Sequence, residues 1–138
     1  MKTAVVYFSR TNHSKKIAEA IATSLQLKAI DVKTKPTLEA VDLLIVVGGI
    51  YVGASSPELK EYAESISKQQ VRKVLLITSC LSNRQKQDMI REILGKNGIE
   101  VAADEFVCRG NFLFFGLGHP NSEEIKAAVS FTKKYVTA

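Results

Sequence analysis

Long apolar runs are missing from this chain. None approaches the roughly 18 residues that a membrane-crossing helix needs, so no membrane partner is expected. No secretory leader is expected either: the N-terminus enters a strand-like run without a charged segment, an apolar stretch and a cleavage site. The expected location is therefore cytoplasmic. Cysteine is scarce, with Cys80 and Cys108 alone, and in that compartment both are expected as reduced thiols. No His, Asp, Glu and Cys cluster has metal-ligand spacing. No Ser, His and acid arrangement points to nucleophilic catalysis, so no catalytic residue is assigned. Linkers, internal repeats and low-complexity stretches are lacking, which makes residues 1–138 one expected domain. What is present is ordinary for a globular protein: 46% apolar and 24% charged residues. The net charge is +5. Its Lys and Arg residues are scattered and lack interleaved aromatics, which argues against a nucleic-acid partner.

One stretch organises the rest: Ser9-Arg10-Thr11-Asn12-His13-Ser14. Before it, Thr3 to Phe8 is β-branched and aromatic with no interior Gly or Pro, which reads as a buried strand. After it, Ile17, Ala18, Ile21, Ala22 and Leu25 recur at helical spacing. Strand, polar loop and helix present backbone N–H groups at a helix N-terminus, a ready anion site. Absences narrow the anion. The loop has no GKS/T ending, as a triphosphate loop needs. It has no glycine, so the dinucleotide G-x-G-x-x-G is excluded. It has no cysteine nucleophile. A loop of hydroxyls and amides remains, suited to binding a terminal phosphate without attacking it.

Further along, Leu27 to Val32 reads as a short second strand. Asp42 to Val47 is a near-continuous apolar run, as in a parallel strand covered on both faces, ended by Gly48-Gly49. Ser55-Ser56-Pro57-Glu58 announces a helix, with Glu58 at the capping-box position and Leu59, Tyr62, Ala63 and Ile66 inward. Val71 to Thr78 is a fourth strand. About Asn83 to Lys96 is a helix with Met89, Ile90, Ile93 and Leu94 inward, stopped by Asn97-Gly98. Ile99 to Cys108 is a more polar fifth strand. Asn121 to Glu124 caps a last helix with Ile125, Ala128, Val129, Thr132 and Val136 inward. Strands alternating with helices predict a three-layer α/β/α sandwich. With right-handed crossovers and a phosphate loop after the first strand, the expected five-stranded parallel sheet has the order 2-1-3-4-5.

The first loop and the helix after it resemble the flavodoxin family, whose loop is similar to S/T-x-T-G-N-T. Ser9, Thr11 and Ser14 match by type; Asn12 stands in place of Gly and His13 in place of Asn. Asn tolerates positive φ, so the turn remains open to it. Phe106 to Gly110 and Gly118-His119-Pro120-Asn121 are similar to small single-domain members. The resemblance implies flavin mononucleotide (FMN) as cofactor, and it extends over essentially the whole chain.

In that fold a ligand lies outside the carboxyl ends of the strands. This names two further loops, Gly48 to Ser56 and Thr78 to Asn83. In the first, Ile50, Tyr51, Val52 and Gly53 are expected at the flavin ring, with the glycines allowing close approach of the backbone. In the second, Ser79, Cys80, Leu81 and Ser82 are expected at the ring edge or ribityl chain, although the loop lacks the family's glycines and aromatics. Cys80 and Cys108 fall on neighbouring strands in this order, which raises a redox couple between them. The implied function is electron transfer between redox partner proteins, as a monomer or weak dimer. The basic excess, unusual for the family, then bears on which partner is steered to it. The alternatives are a small FMN-dependent oxidoreductase acting on a quinone, nitro compound or porphyrinogen, or a cofactor-free interaction module. A phosphate-accepting signalling receiver is excluded, since the first and third strands end without the acids it requires.

Overall fold

The computed structural model describes residues 1–10, 12–51, 54–80, 87–109 and 122–136, with the backbone alone for Ile50, Tyr51, Ala54, Ser55, Cys80, Cys108 and Arg109. In chain order the elements are β1 (Thr3–Tyr7), α1 (His13–Ser24), β2 (Ala29–Asp31), a 3-10 turn (Val32–Thr34), β3 (Val41–Tyr51), β4 (Ala54–Ser55), α2 (Pro57–Ser65), β5 (Val71–Cys80), α3 (Asp88–Lys96), β6 (Glu100–Val101), β7 (Phe106–Arg109) and α4 (Ser122–Val136). The sheet runs β2-β1-β3-β5, with β6 and β7 both pairing in parallel with β5. With β6 and β7 taken as one broken strand, this is the expected order 2-1-3-4-5.

The apolar run of β3 is split between two cores by strand alternation. Leu43, Ile45 and Val47 face α1 and α4, together with Val5, Ile17, Ile21 and Ala128. Leu44 and Val46 face α2 and α3, together with Val6, Leu59, Tyr62, Ile90 and Leu94. Double coverage is why these strands lack polar alternation. Of the helical stripes, Leu59, Tyr62, Ala63 and Ile66 are all buried. In α3 the stripe is narrower than expected: Ile90 and Leu94 are buried, Ile93 packs at the margin and Met89 is exposed. Tyr62 also donates from its hydroxyl to the Pro36 carbonyl at 3.2 Å, and burial pushes its phenol up to about 12.

Three boundaries differ from expectation, each for a physical reason. β3 does not stop at Gly48-Gly49 but continues to Tyr51, where β4 returns antiparallel through Ile50–Ser55 and Tyr51–Ala54. The cap of α2 is Ser56, whose Oγ accepts from the Leu59 N–H at 3.2 Å. Glu58 is therefore the second helical residue, placed to complement the dipole rather than to close a capping box. The single fifth strand is broken: Val74 and Ile77 of β5 face Val101 and Phe106. Three steps along β5 are matched by five along the edge; Ala102 N–H still donates to the Val74 carbonyl at 2.9 Å, so residues 103–105 bulge out of the ladder.

Candidate functional site

The carboxyl ends of β1, β3 and β5 lie at one edge of the sheet. Tyr7 pairs with Val47, and Val47 with Ile77. Beyond that level β3 carries Gly48 to Tyr51, and β5 carries Thr78 to Cys80. The loop after β1 turns into α1 at the same edge. Phe8 N–H donates to the Val47 carbonyl at 3.1 Å, holding the loop's entrance against β3.

The turn itself is made by Asn12, the residue before α1. Its φ of 67° lies in the left-handed region, which Asn enters more readily than most residues with a side chain. The expected departure from glycine is thus accommodated. Asn12 makes no side-chain cap; its carbonyl accepts from Lys16 N–H at 3.1 Å to begin the helix.

The polar atoms around this turn are unusual. Ser9 Oγ, His13 Nδ1 and Ser14 Oγ are all buried, and none has a hydrogen-bond partner among the described residues. Ser14 is only 1% exposed. Each such orphan costs about 1–3 kcal/mol, and the three belong to the loop after β1 and the first two residues of α1. That first turn carries no acid; it carries Lys15 and Lys16, both exposed. The other described helices have acids there: Glu58 in α2, Asp88 in α3, and Glu123 and Glu124 in α4. Burial, and then the charge of Lys16, lower the His13 pKa, so its imidazole is neutral at pH 7. Arg10, at the rim, faces Glu58 at 3.7 Å.

Of the expected ring residues, Ile50 and Tyr51 end β3, and Ser79 and Cys80 end β5. The register sets Gly49 beside Ser79. Both segments are strand where loop was expected. Thr11, Val52, Gly53, Leu81 and Ser82 lie outside the described residues. Gly48 has a different role from the one anticipated. A Cβ there would stand 2.5 Å from Leu59 Cδ2 and 3.0 Å from Gln87 Nε2. The missing side chain admits protein rather than ligand. Cys80 and Cys108 do sit on neighbouring strands, but the register pairs Cys108 with Ser79 and Cys80 with Arg109.

Matching the Flavodoxin domain family over residues 4–136 accounts for this arrangement. The chain belongs to the flavodoxin family. An uncharacterized protein of Methanocaldococcus jannaschii is 30% identical over 146 residues, covering 96% of this chain and 97% of its own. Oxidised flavodoxin 1 of Bacillus cereus superposes with a TM-score of 0.76 at 18% identity, covering 99% of this chain and 98% of that one. An archaeal flavodoxin gives 0.73 at 14%, covering 97% and 98%. An NAD(P)H:quinone oxidoreductase of Methanothermobacter marburgensis gives 0.65 at 11%, covering 98% and 96%. At these identities the structural likeness speaks to the flavodoxin fold. No described helix is long and apolar enough to cross a membrane, and no described group of three or more His, Cys, Asp or Glu is placed to hold a metal ion.

A side-chain network at the same edge escaped sequence reasoning. The side chain of Glu105, in the bulge, is fully buried. One of its oxygens, Oε2, accepts from Thr78 Oγ1 at 2.6 Å and from Gln87 N–H at 2.7 Å. The other, Oε1, accepts from Arg91 Nη2 at 3.2 Å, and Arg91 Nη1 donates to the Ala102 carbonyl at 2.7 Å. The available signal was an acid interrupting the expected fifth strand just before Phe106-Val107. Separately, a cavity of about 560 Å³ opens between α2 and residues 32–38. It is lined in part by Glu58, the partner of Arg10, but by none of Ser9, Asn12, His13 and Ser14.

Proposed function

We propose that this flavodoxin-family chain binds FMN and carries electrons between redox proteins. The observation that supports this most is the trio Ser9 Oγ, His13 Nδ1 and Ser14 Oγ, buried without partners at a helix N-terminus that carries no acid. A phosphate monoester supplies what each lacks. Its oxygens accept from the two hydroxyls, from a neutral imidazole N–H and from the helix's first amides. Lys15 and Lys16 add cationic charge on the exposed rim, where Arg10 faces Glu58. Thr11 belongs to the same loop and is the fourth proposed donor.

Bound FMN supplies the one- and two-electron chemistry; the chain's residues bind, orient and shield it. Ile50, Tyr51, Val52 and Gly53 are proposed on one side of the ring, and Ser79, Cys80, Leu81 and Ser82 on the other. The basic surface steers an acidic redox partner toward the site. The test is titration of apo-protein with FMN, followed by quenching of flavin fluorescence. Saturable quenching supports the assignment. Absence of quenching at high micromolar FMN leaves a cofactor-free interaction module. A small FMN-dependent oxidoreductase is the alternative, favoured by the likeness to the quinone oxidoreductase. Turnover of reduced nicotinamide with a quinone by the isolated, FMN-loaded protein selects it; a carrier gives almost none.

A further inference from the structure

We propose that Glu105 is a positioning residue for the flavin ring: its buried carboxylate ties the end of β5 to the start of α3. This rests on the FMN assignment above. Thr78 is the residue before Ser79 at the end of β5, and Gln87 immediately precedes α3. A single oxygen, Glu105 Oε2, receives a hydrogen bond from each. That oxygen therefore ties the residue before Ser79 and Cys80, two of the proposed ring contacts, to the residue that leads into α3.

The clamp reaches the second ring segment as well. Gln87 is 1% exposed, and its side chain is one of the two groups that would meet a Cβ at Gly48. Gly48 begins the stretch of β3 that ends at Ile50 and Tyr51. Pinning Gln87 thus sets the start of α3 against β3 as well as β5. The edge carries two extra residues at this point, and Glu105 within them meets three donors. The Arg91 guanidinium offsets its charge, and the α3 N-terminus adds a favourable dipole.

A residue that acts on the ring and not on the phosphate has a distinct signature. Glu105→Gln keeps the volume but removes the charge and turns one acceptor into a donor. Thr78→Val keeps the carboxylate–Arg91 pair and removes one donor; it carries the test if the glutamine variant fails to fold. In apo-protein, amide exchange in peptides covering 79–88 rises about tenfold in Glu105→Gln and about threefold in Thr78→Val, with peptides of α1 unchanged. FMN and riboflavin dissociation constants rise by the same factor, so their ratio is preserved, and the midpoint potential of bound FMN shifts at full saturation. Unchanged exchange at 79–88, or a riboflavin-to-FMN ratio that falls instead, overturns the assignment. If wild-type protein binds neither flavin, the FMN assignment fails by itself. Exchange then decides the clamp alone: faster local exchange supports it, and unchanged exchange overturns it.

Discussion

Two helices start at the carboxyl edge of this sheet in opposite ways. At α3 the chain supplies its own anion: Glu105 meets Gln87 N–H, Thr78 and Arg91, and its carboxylate is fully occupied. At α1 it supplies none, and Ser9, His13 and Ser14 each bury an unused polar atom. The dipoles of the two termini are alike; what differs is who brings the negative charge. A terminus filled from within stiffens the fold. On the proposed reading, the open one, with its donors already desolvated, is kept for an anion from outside.

Breaking the filled terminus gives the largest effect. Glu105→Ala strips Arg91 of its partner and leaves Thr78 and Gln87 N–H without an acceptor. It is expected to lower unfolding free energy by about 3 kcal/mol, the low end of the range because Arg91 is 29% exposed. Urea denaturation measures this, and a loss under 1 kcal/mol contradicts the comparison. Ser14→Ala acts oppositely on the open terminus. Loss of one charge-assisted hydrogen bond weakens FMN binding by about 1.5–3 kcal/mol, while apo-protein is unchanged or up to about 1 kcal/mol more stable because an orphan has gone. A variant that loses apo stability sinks the claim that the site is built for a ligand.

Making α1 resemble α3 sharpens the contrast further. Lys15→Glu places an acid at the third residue of α1. Apo-protein should gain about 0.3–1 kcal/mol and FMN affinity should fall; thermal melts with and without FMN report both, and equal or tighter FMN binding opposes the account. The smallest effect is in pH. The His13 pKa is lowered in the folded state, so between that value and the unfolded one near 6.5 the unfolded chain binds more protons. Stability contributed by neutral His13 is complete above about 6.5 and is lost as pH falls through the folded value. His13→Gln should flatten that part of the stability profile, and an unchanged slope removes His13 from the explanation.

Much of this was legible from residues alone. The run Asp42 to Val47 announced a doubly covered strand, and Ser9 to Ser14 between an apolar run and a helical stripe announced the turn from β1 into α1. Asn12 in place of glycine was readable as a left-handed turn because its side chain allows it. Other features depend on partners remote in sequence. Gly48-Gly49 looked like a strand end. It is strand because the ladder with β5 continues through Gly48–Thr78 and Gly49–Ser79, while Leu59 and Gln87 fill the space a side chain at Gly48 would take. Ile99 to Cys108 looked continuous, since nothing local says that Glu105 turns inward to Thr78, Gln87 and Arg91. Ser55 and Ser56 are equivalent caps by type, and only the hydrogen bond to Leu59 chooses between them.

The most direct measurement is a paired titration of apo-protein with FMN and with riboflavin, which differ in the phosphate alone. With two or more charge-assisted hydrogen bonds from the α1 cradle, riboflavin should bind at least about 100-fold more weakly than FMN. Equal affinity for the two, or no binding of either, would contradict the claim that this terminus is held open for a phosphate.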